Sequence, residues 1–251
     1  MTKTKTTALA TLLIAALALA GCSRNTNQAG TNSTLIRLRA PYALFESEPL
    51  VVQVSEGSKA YIWQYSDKLA VPNEPYMGKG VPASTLADVQ PQADIYKQAQ
   101  DRKNQSAPVL ITGDDHAKCG AVFEAIANAK RAGITVFYSE IWYRKSGATG
   151  AQTDWEGYLD KPILSIDPSS KPVTITISKD GTLALDNKPV SLNDLGNRLF
   201  EIRGEEALEK GNIRFIVEVD AQTEFNLLRF AFSQIWRTSR ESVTLELREL
   251  K

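Results

Sequence analysis

A strand, a tight turn, a second strand and a capped helix follow one another within residues 173–199, and this order most constrains what the chain can fold into. Val173, Ile175 and Ile177 alternate with Thr174, Thr176 and Ser178, the period of a half-buried strand. Asp180-Gly181 is a turn signal, because glycine takes positive φ without a Cβ clash. Residues 182–185 return as a second strand, and 186–189 are expected to break the pairing. Ser191 then sits at a helix N-cap with Asp194 three residues on, a near-relative of the capping box. Leu192, Leu195 and Leu199 fall on one helical face.

The same grammar occurs earlier. Ser-Glu-Pro-Leu-Val-Val-Gln-Val-Ser-Glu-Gly from Ser47 sets beside Ser-Lys-Pro-Val-Thr-Ile-Thr-Ile-Ser-Lys-Asp-Gly from Ser170, with one residue of slack. An internal repeat follows. Residues 67–79 read as a loop inserted in the first half, and 85–100 as a helix that Pro91 must kink or split. A strand at 107–112 leads to a helix beginning near Cys119, with Val122, Ile126 and Ala129 as its buried stripe. Lys130 and Arg131 suit its negative end, and Gly133 stands just past it. A closing strand spans 134–142. The second half repeats this order with a strand at 213–220, a helix at 223–236 and a strand at 243–247.

Two stretches resemble the periplasmic domain of the ExbD/TolR family, the small subunit of proton-driven cell-envelope motors. Its members carry a strand, an Asp-Gly turn, a second strand and then Pro-Val-Ser-Leu-x-x-Leu opening a helix. Here these are Asp180, Gly181, Pro189, Val190, Ser191, Leu192 and Leu195. They also carry a strand ending in Asp, a Gly near the next helix start, and a helix ending Lys-x-Ala-Gly. Asp114, Gly120 and Lys130-Arg131-Ala132-Gly133 match that pattern. The second half departs from it, with Thr238-Ser239 where Ala-Gly would stand. The resemblance implies an α+β architecture of two tandem ExbD/TolR-like domains, each a small mixed sheet with two helices on one face. Residues 34–145 form the first, 146–157 a linker and 158–251 the second. It further implies that segments preceding each first strand, Leu35 to Arg39 and Ile163 to Ile166, pair between copies, which together imitate a homodimer.

The first residues are read as targeting signal. Lys3 and Lys5 precede an apolar run, Ala8 to Ala20, too short to span a bilayer comfortably. Leu19-Ala20-Gly21-Cys22 resembles the lipobox of bacterial lipoproteins, which implies cleavage after residue 21 and acylation of Cys22. Ser23 is not the Asp that holds such proteins in the inner membrane, so the resemblance favours the outer one. Residues 22–33 read as a polar tether. Only Cys119 then remains, and one thiol forms no intrachain disulfide. The formal net charge of zero argues against a nucleic-acid surface driven by bulk positive charge.

Family members carry an intramembrane Asp in the proton path. The apolar run here holds no acid, so proton coupling is not inherited. The expected function is non-catalytic and without cofactor: a periplasm-facing lipoprotein binding peptidoglycan or a TonB/Tol-type system through its ExbB- or TolQ-like components, accessory to biopolymer transport. One alternative is a metal-dependent envelope enzyme using Asp114, His116 and Cys119, since His116 is the only histidine. The bland reading of that trio is an acid N-cap at Asp114 or Asp115, a first-turn polar residue and a small core residue. A purely structural envelope spacer is the other alternative. No Gly-x-Ser-x-Gly elbow, phosphate loop or dinucleotide fingerprint occurs. Trp63, Trp142, Trp155 and Trp236 read as packing residues. Arg198, Arg203, Arg214, Arg229, Arg237, Arg240 and Arg248 read as solvated faces.

Overall fold

A computed structural model describes residues 33–39, 47–64, 81–140, 170–209, 213–239 and 243–250. The expectations at the lipobox, the tether, residues 67–79, the linker, Trp142, Trp155, residues 163–166 and Arg240 lie outside the described residues. The fold is mixed α+β. Its strands are β1 (Ser33–Arg39), β2 (Leu50–Val54), β3 (Lys59–Gln64), β4 (Ser84–Thr85), β5 (Val109–Gly113), β6 (Phe137–Glu140), β7 (Lys171–Ile177), β8 (Leu183–Leu185), β9 (Lys188–Val190), β10 (Ile213–Asp220) and β11 (Val243–Leu250). Its α-helices are α1 (Val89–Arg102), α2 (Cys119–Arg131), α3 (Leu195–Glu209) and α4 (Phe225–Ser239).

The eleven strands among the described residues share one sheet, in the order β4-β3-β2-β5-β6-β1-β11-β10-β7-β8-β9. Ser33 to Lys251 forms one compact unit. Each half repeats one pairing scheme. β2 runs parallel to β5, β5 parallel to β6, and β2-β3-β4 is antiparallel. Likewise β7 runs parallel to β10, β10 parallel to β11, and β7-β8-β9 is antiparallel. β1 joins the halves, parallel to β6 and antiparallel to β11. Lys130 Nζ fixes its start by donating to Ser33 O at 2.8 Å and Thr34 Oγ1 at 2.7 Å.

The alternation read in the sequence sorts the sheet into two faces. Val52, Val54, Ile111, Ile175, Ile177, Val217, Val219, Leu245 and Leu247 join the helices in one buried cluster. Val51 and Leu110 point the other way and pack with Trp63 and Tyr138. Trp236 packs against the main core.

The two hairpin turns align without the expected slack. Ser55 N–H donates to Lys59 O and Ser178 N–H to Thr182 O, and both serine hydroxyls reach the same carbonyls. The left-handed residue is Gly181 (φ 82) in one turn and Ser58 (φ 54) in the other. Ser58, not Gly57, therefore occupies the glycine's place. Asp186 and Asn187 do not break the pairing. With φ of 48 and 65 they make a two-residue turn, the geometry that suits hairpin twist, and β9 follows as an edge strand that tolerates Pro189.

Pro91 neither kinks nor splits α1. It is the third helical residue, where a missing N–H goes unused. A short 3-10 turn, Leu86–Asp88, precedes the helix, with Thr85 N–H and Oγ1 donating to Asp88 Oδ2, both at 2.8 Å. Ser191 caps α3 in the matching place. Asp194 N–H donates to Ser191 Oγ at 3.1 Å, and that hydroxyl donates to Asp194 Oδ2 at 2.6 Å. Leu195 and Leu199 are buried, but Leu192 is exposed. Among the described residues no helix is long and apolar enough to cross a membrane.

Candidate functional site

The loop after β5 and the loop after β10 meet, each leading into a helix. Their centre is an isolated antiparallel bridge between Lys118 and Glu224. Cys119 N–H donates to Thr223 O at 2.9 Å, and Phe225 N–H to Ala117 O at 2.8 Å. Gly120 N–H donates to Ala221 O at 2.8 Å, and Asn226 N–H to Asp115 O at 3.1 Å. With Asp114 matched to Asp220, these four bonds form two equivalent pairs. Each half gives two N–H groups and two carbonyls to the other, so the clasp has a local two-fold.

This exchange answers a local deficit. The first N–H groups of any helix lack intrahelical partners. Lys118, the N-cap of α2, supplies no side-chain cap. The acid cap expected from Asp114 or Asp115 is absent, because both carboxylates are engaged elsewhere. Gln53 Nε2 donates to Asp114 Oδ1 at 2.7 Å, and Arg229 Nη2 donates to Asp115 Oδ1. Carbonyls of the other half take the capping role, and their negative ends face the positive end of the helix dipole.

Close approach at the clasp selects small residues. A Cβ on Gly120 would lie 3.1 Å from both Cβ and O of Ala221. Thr223 is buried and donates through Oγ1 to Ser178 O at 2.9 Å, tying the clasp to the β7–β8 turn. The arginines read as solvated are only partly so: Arg198 and Arg237 are exposed, Arg203, Arg214 and Arg248 are half-buried, and the largest departure is Arg229. Its side chain is only 8% exposed, and its guanidinium lies 5.5 Å from the centroid of the Phe225 ring, within cation–π range.

Asp114, His116 and Cys119 do not converge on one point. Cys119 is fully buried; burial pushes its thiol up to about 12, Lys118 opposing this and Asp220 adding to it. It stays protonated at ordinary pH, which suits neither a nucleophile nor a metal ligand. His116 is 63% exposed and pairs through Nδ1 with Glu224 Oε2 at 3.3 Å. Lys118 Nζ lies 3.8 Å from the other oxygen of that carboxylate. Among the described residues no group of three or more His, Cys, Asp or Glu is placed to hold a metal ion.

Neither a protein-family profile nor a curated protein matches this chain. His116, Lys118, Glu224 and Asp115 set mixed charge around a centre that buries Cys119, Thr223, Phe225 and Arg229. Sequence reasoning missed Glu224, Arg229 and Phe225 as members of this site. The available signal was Lys118 itself: a residue that does not cap, placed at a helix start, needs a partner from elsewhere.

Proposed function

We propose that this protein is a non-catalytic, lipid-anchored binding module of the bacterial envelope, formed from two ExbD/TolR-like copies clasped as an internal pseudo-dimer. Its anchor is Cys22, it faces the periplasm from the outer membrane, and it docks peptidoglycan or a TonB/Tol-type energy-transducing system. The observation that carries this reading is the repeated pairing scheme, β2-β5-β6 with β3-β4 against β7-β10-β11 with β8-β9, joined by reciprocal capping at Lys118 and Glu224. The clasp lies at the loops after Asp114 and Asp220, and the first of these carries one of the two family-like stretches. Fixing two copies on one chain raises the effective concentration of each for the other.

The burial of Cys119 and the engagement of His116 with Glu224 favour binding over metal-assisted hydrolysis. The test is affinity capture of the full chain from cross-linked envelope extracts. Enrichment of cell-wall fragments or motor subunits is expected, and its loss is expected in Cys22→Ser. Capture of neither class overturns the docking role.

A further inference from the structure

His116 and Glu224 are 108 residues apart in the chain and belong to different halves. The clasp brings the imidazole Nδ1 and the carboxylate Oε2 to 3.3 Å. Glu224 is also one of the two residues of the bridge at the clasp's centre. Its other oxygen lies 3.8 Å from Lys118 Nζ. One carboxylate of the second half is thus shared by two side chains of the first. His116 is the only histidine in the chain. Histidine is the side chain whose ordinary change of charge falls between about pH 5 and 8, whereas lysine keeps its charge across that window.

The other charges of the two loops decide the direction. The loop after β5 carries Asp114, Asp115 and Lys118, the loop after β10 carries Asp220 and Glu224, and Arg229 reaches in from α4 to Asp115. Asp114 accepts from the neutral Gln53 side chain, and Asp220 accepts from the Gln222 N–H at 2.7 Å. Four carboxylates therefore stand beside two cations while the imidazole is neutral. The starts of α2 and α4 add about half a positive charge each. That still leaves the clasp short of roughly one positive charge. A proton on His116 supplies it within hydrogen-bond reach of Glu224. The neutral ring offers an Nδ1–H in only one tautomer, and the charged ring always does. A charge-assisted bond is also about twice as strong as a neutral one.

We propose that the clasp is a proton-sensitive latch, in which a charged His116 paired with Glu224 holds the two halves together more tightly than a neutral one. Opening the clasp parts the two side chains, because they sit on loops of different halves. Only the closed form holds the pair, so a proton on the ring favours closure. The added hold is present on the acid side of the histidine window and is lost as pH rises through it. Lys118 contacts the same carboxylate on both sides of the window and sets the baseline. The latch stands on the clasp's geometry and does not depend on the envelope role.

The test is amide hydrogen exchange of the full chain, read by NMR at about pH 5 and about pH 8. The amides followed are those of Cys119, Gly120, Phe225 and Asn226, whose hydrogen bonds cross the clasp. After correction for intrinsic exchange, their protection is expected to be about two- to four-fold greater at the lower pH, the size of an exposed ion pair. The change is expected to follow the ring titration of His116, read from its carbon-bound protons in the same samples. His116→Gln keeps a side-chain donor that does not titrate, and is expected to abolish the difference. Glu224→Gln is expected to abolish it while the ring still titrates. Equal protection at the two pH values overturns the latch. So does a pH dependence that persists unchanged in His116→Gln, since other groups would then be its source.

Discussion

Phe225 lies against Gly113 across the clasp. A Cβ built on Gly113 would stand 3.0 Å from Phe225 Cδ1 and 3.3 Å from the carbonyl oxygen of Val54. One half's large residue is thus accommodated by the other half's missing side chain, and Phe225 is among the largest fully buried residues. Gly113→Ala is expected to lower stability by about 1–3 kcal/mol through overpacking. Phe225→Ala is expected to cost about 3–5 kcal/mol through the cavity it leaves. Combining Gly113→Ala with Phe225→Leu is expected to cost less than the sum of the two single changes, because the sites are in contact. Urea midpoints at constant m-value for Gly113→Ala, Phe225→Ala, Phe225→Leu and the double variant give all four numbers.

Arg229 is buried while Asp115 is 58% exposed. Asp115→Asn leaves a guanidinium with a weaker partner at a site water reaches from one side. A cost of about 1–2 kcal/mol is expected, below that of a fully buried pair. Arg229→Ala also removes the packing of its stem and its contact with Phe225, and is expected to cost roughly 2–4 kcal/mol. Arg229→Met, which keeps volume without charge, is expected to be milder than alanine. Denaturant titration of the three variants checks the order.

Asp88 and Asp180 report the caps and turns through pH. Hydrogen bonds from Thr85, the backbone N–H first, hold Asp88 below its ordinary value of 3.8. Hydrogen bonds from the Ser178 hydroxyl and then Thr182 hold Asp180 below the same value. A carboxyl whose folded value is depressed contributes stability that is present above its unfolded value and is lost as pH falls through the folded one. Stability is therefore expected to fall from mildly acidic toward strongly acidic pH. Asp88→Asn with Asp180→Asn is expected to flatten that slope, read from urea midpoints across the range.

The Cys119 thiol gives a chemical readout of the core. Held up at about 12 by burial, it is expected to stay unreactive toward an aromatic disulfide reagent at mildly alkaline pH until the protein unfolds. On the proposed acylation of Cys22, protein from bacterial membranes is expected to show no reactive thiol when native and one when denatured. Immediate reaction of Cys119 in the native protein would contradict the packing described.

What could be read from sequence was what is local. The alternation in β7, the Asp180-Gly181 turn, the Ser191 cap and the buried stripe of α2 all lie within a few residues of their causes. The β8–β9 turn is harder to read, because Asp186 and Asn187 suit a break in pairing as well as a tight turn, and both residue types tolerate left-handed backbone. The burial of Arg229 could not be read, because its partner Asp115 is 114 residues away. The capping of α2 escapes the sequence for the same reason. Two nearby acids made a local answer available, while the carbonyls that do the work belong to Ala221 and Thr223.

The two loops are clasped at Lys118 and Glu224, and a disulfide tests this most directly. Residues paired in an antiparallel bridge have Cα atoms roughly 4.5–5.5 Å apart, inside the range a disulfide accepts. Lys118→Cys with Glu224→Cys, in a Cys119→Ala background, is expected to form an intramolecular disulfide under mild oxidation. Peptide mapping under non-reducing conditions would find residues 118 and 224 linked, with the fold retained. Two free thiols at these positions in the folded, oxidised protein would contradict it.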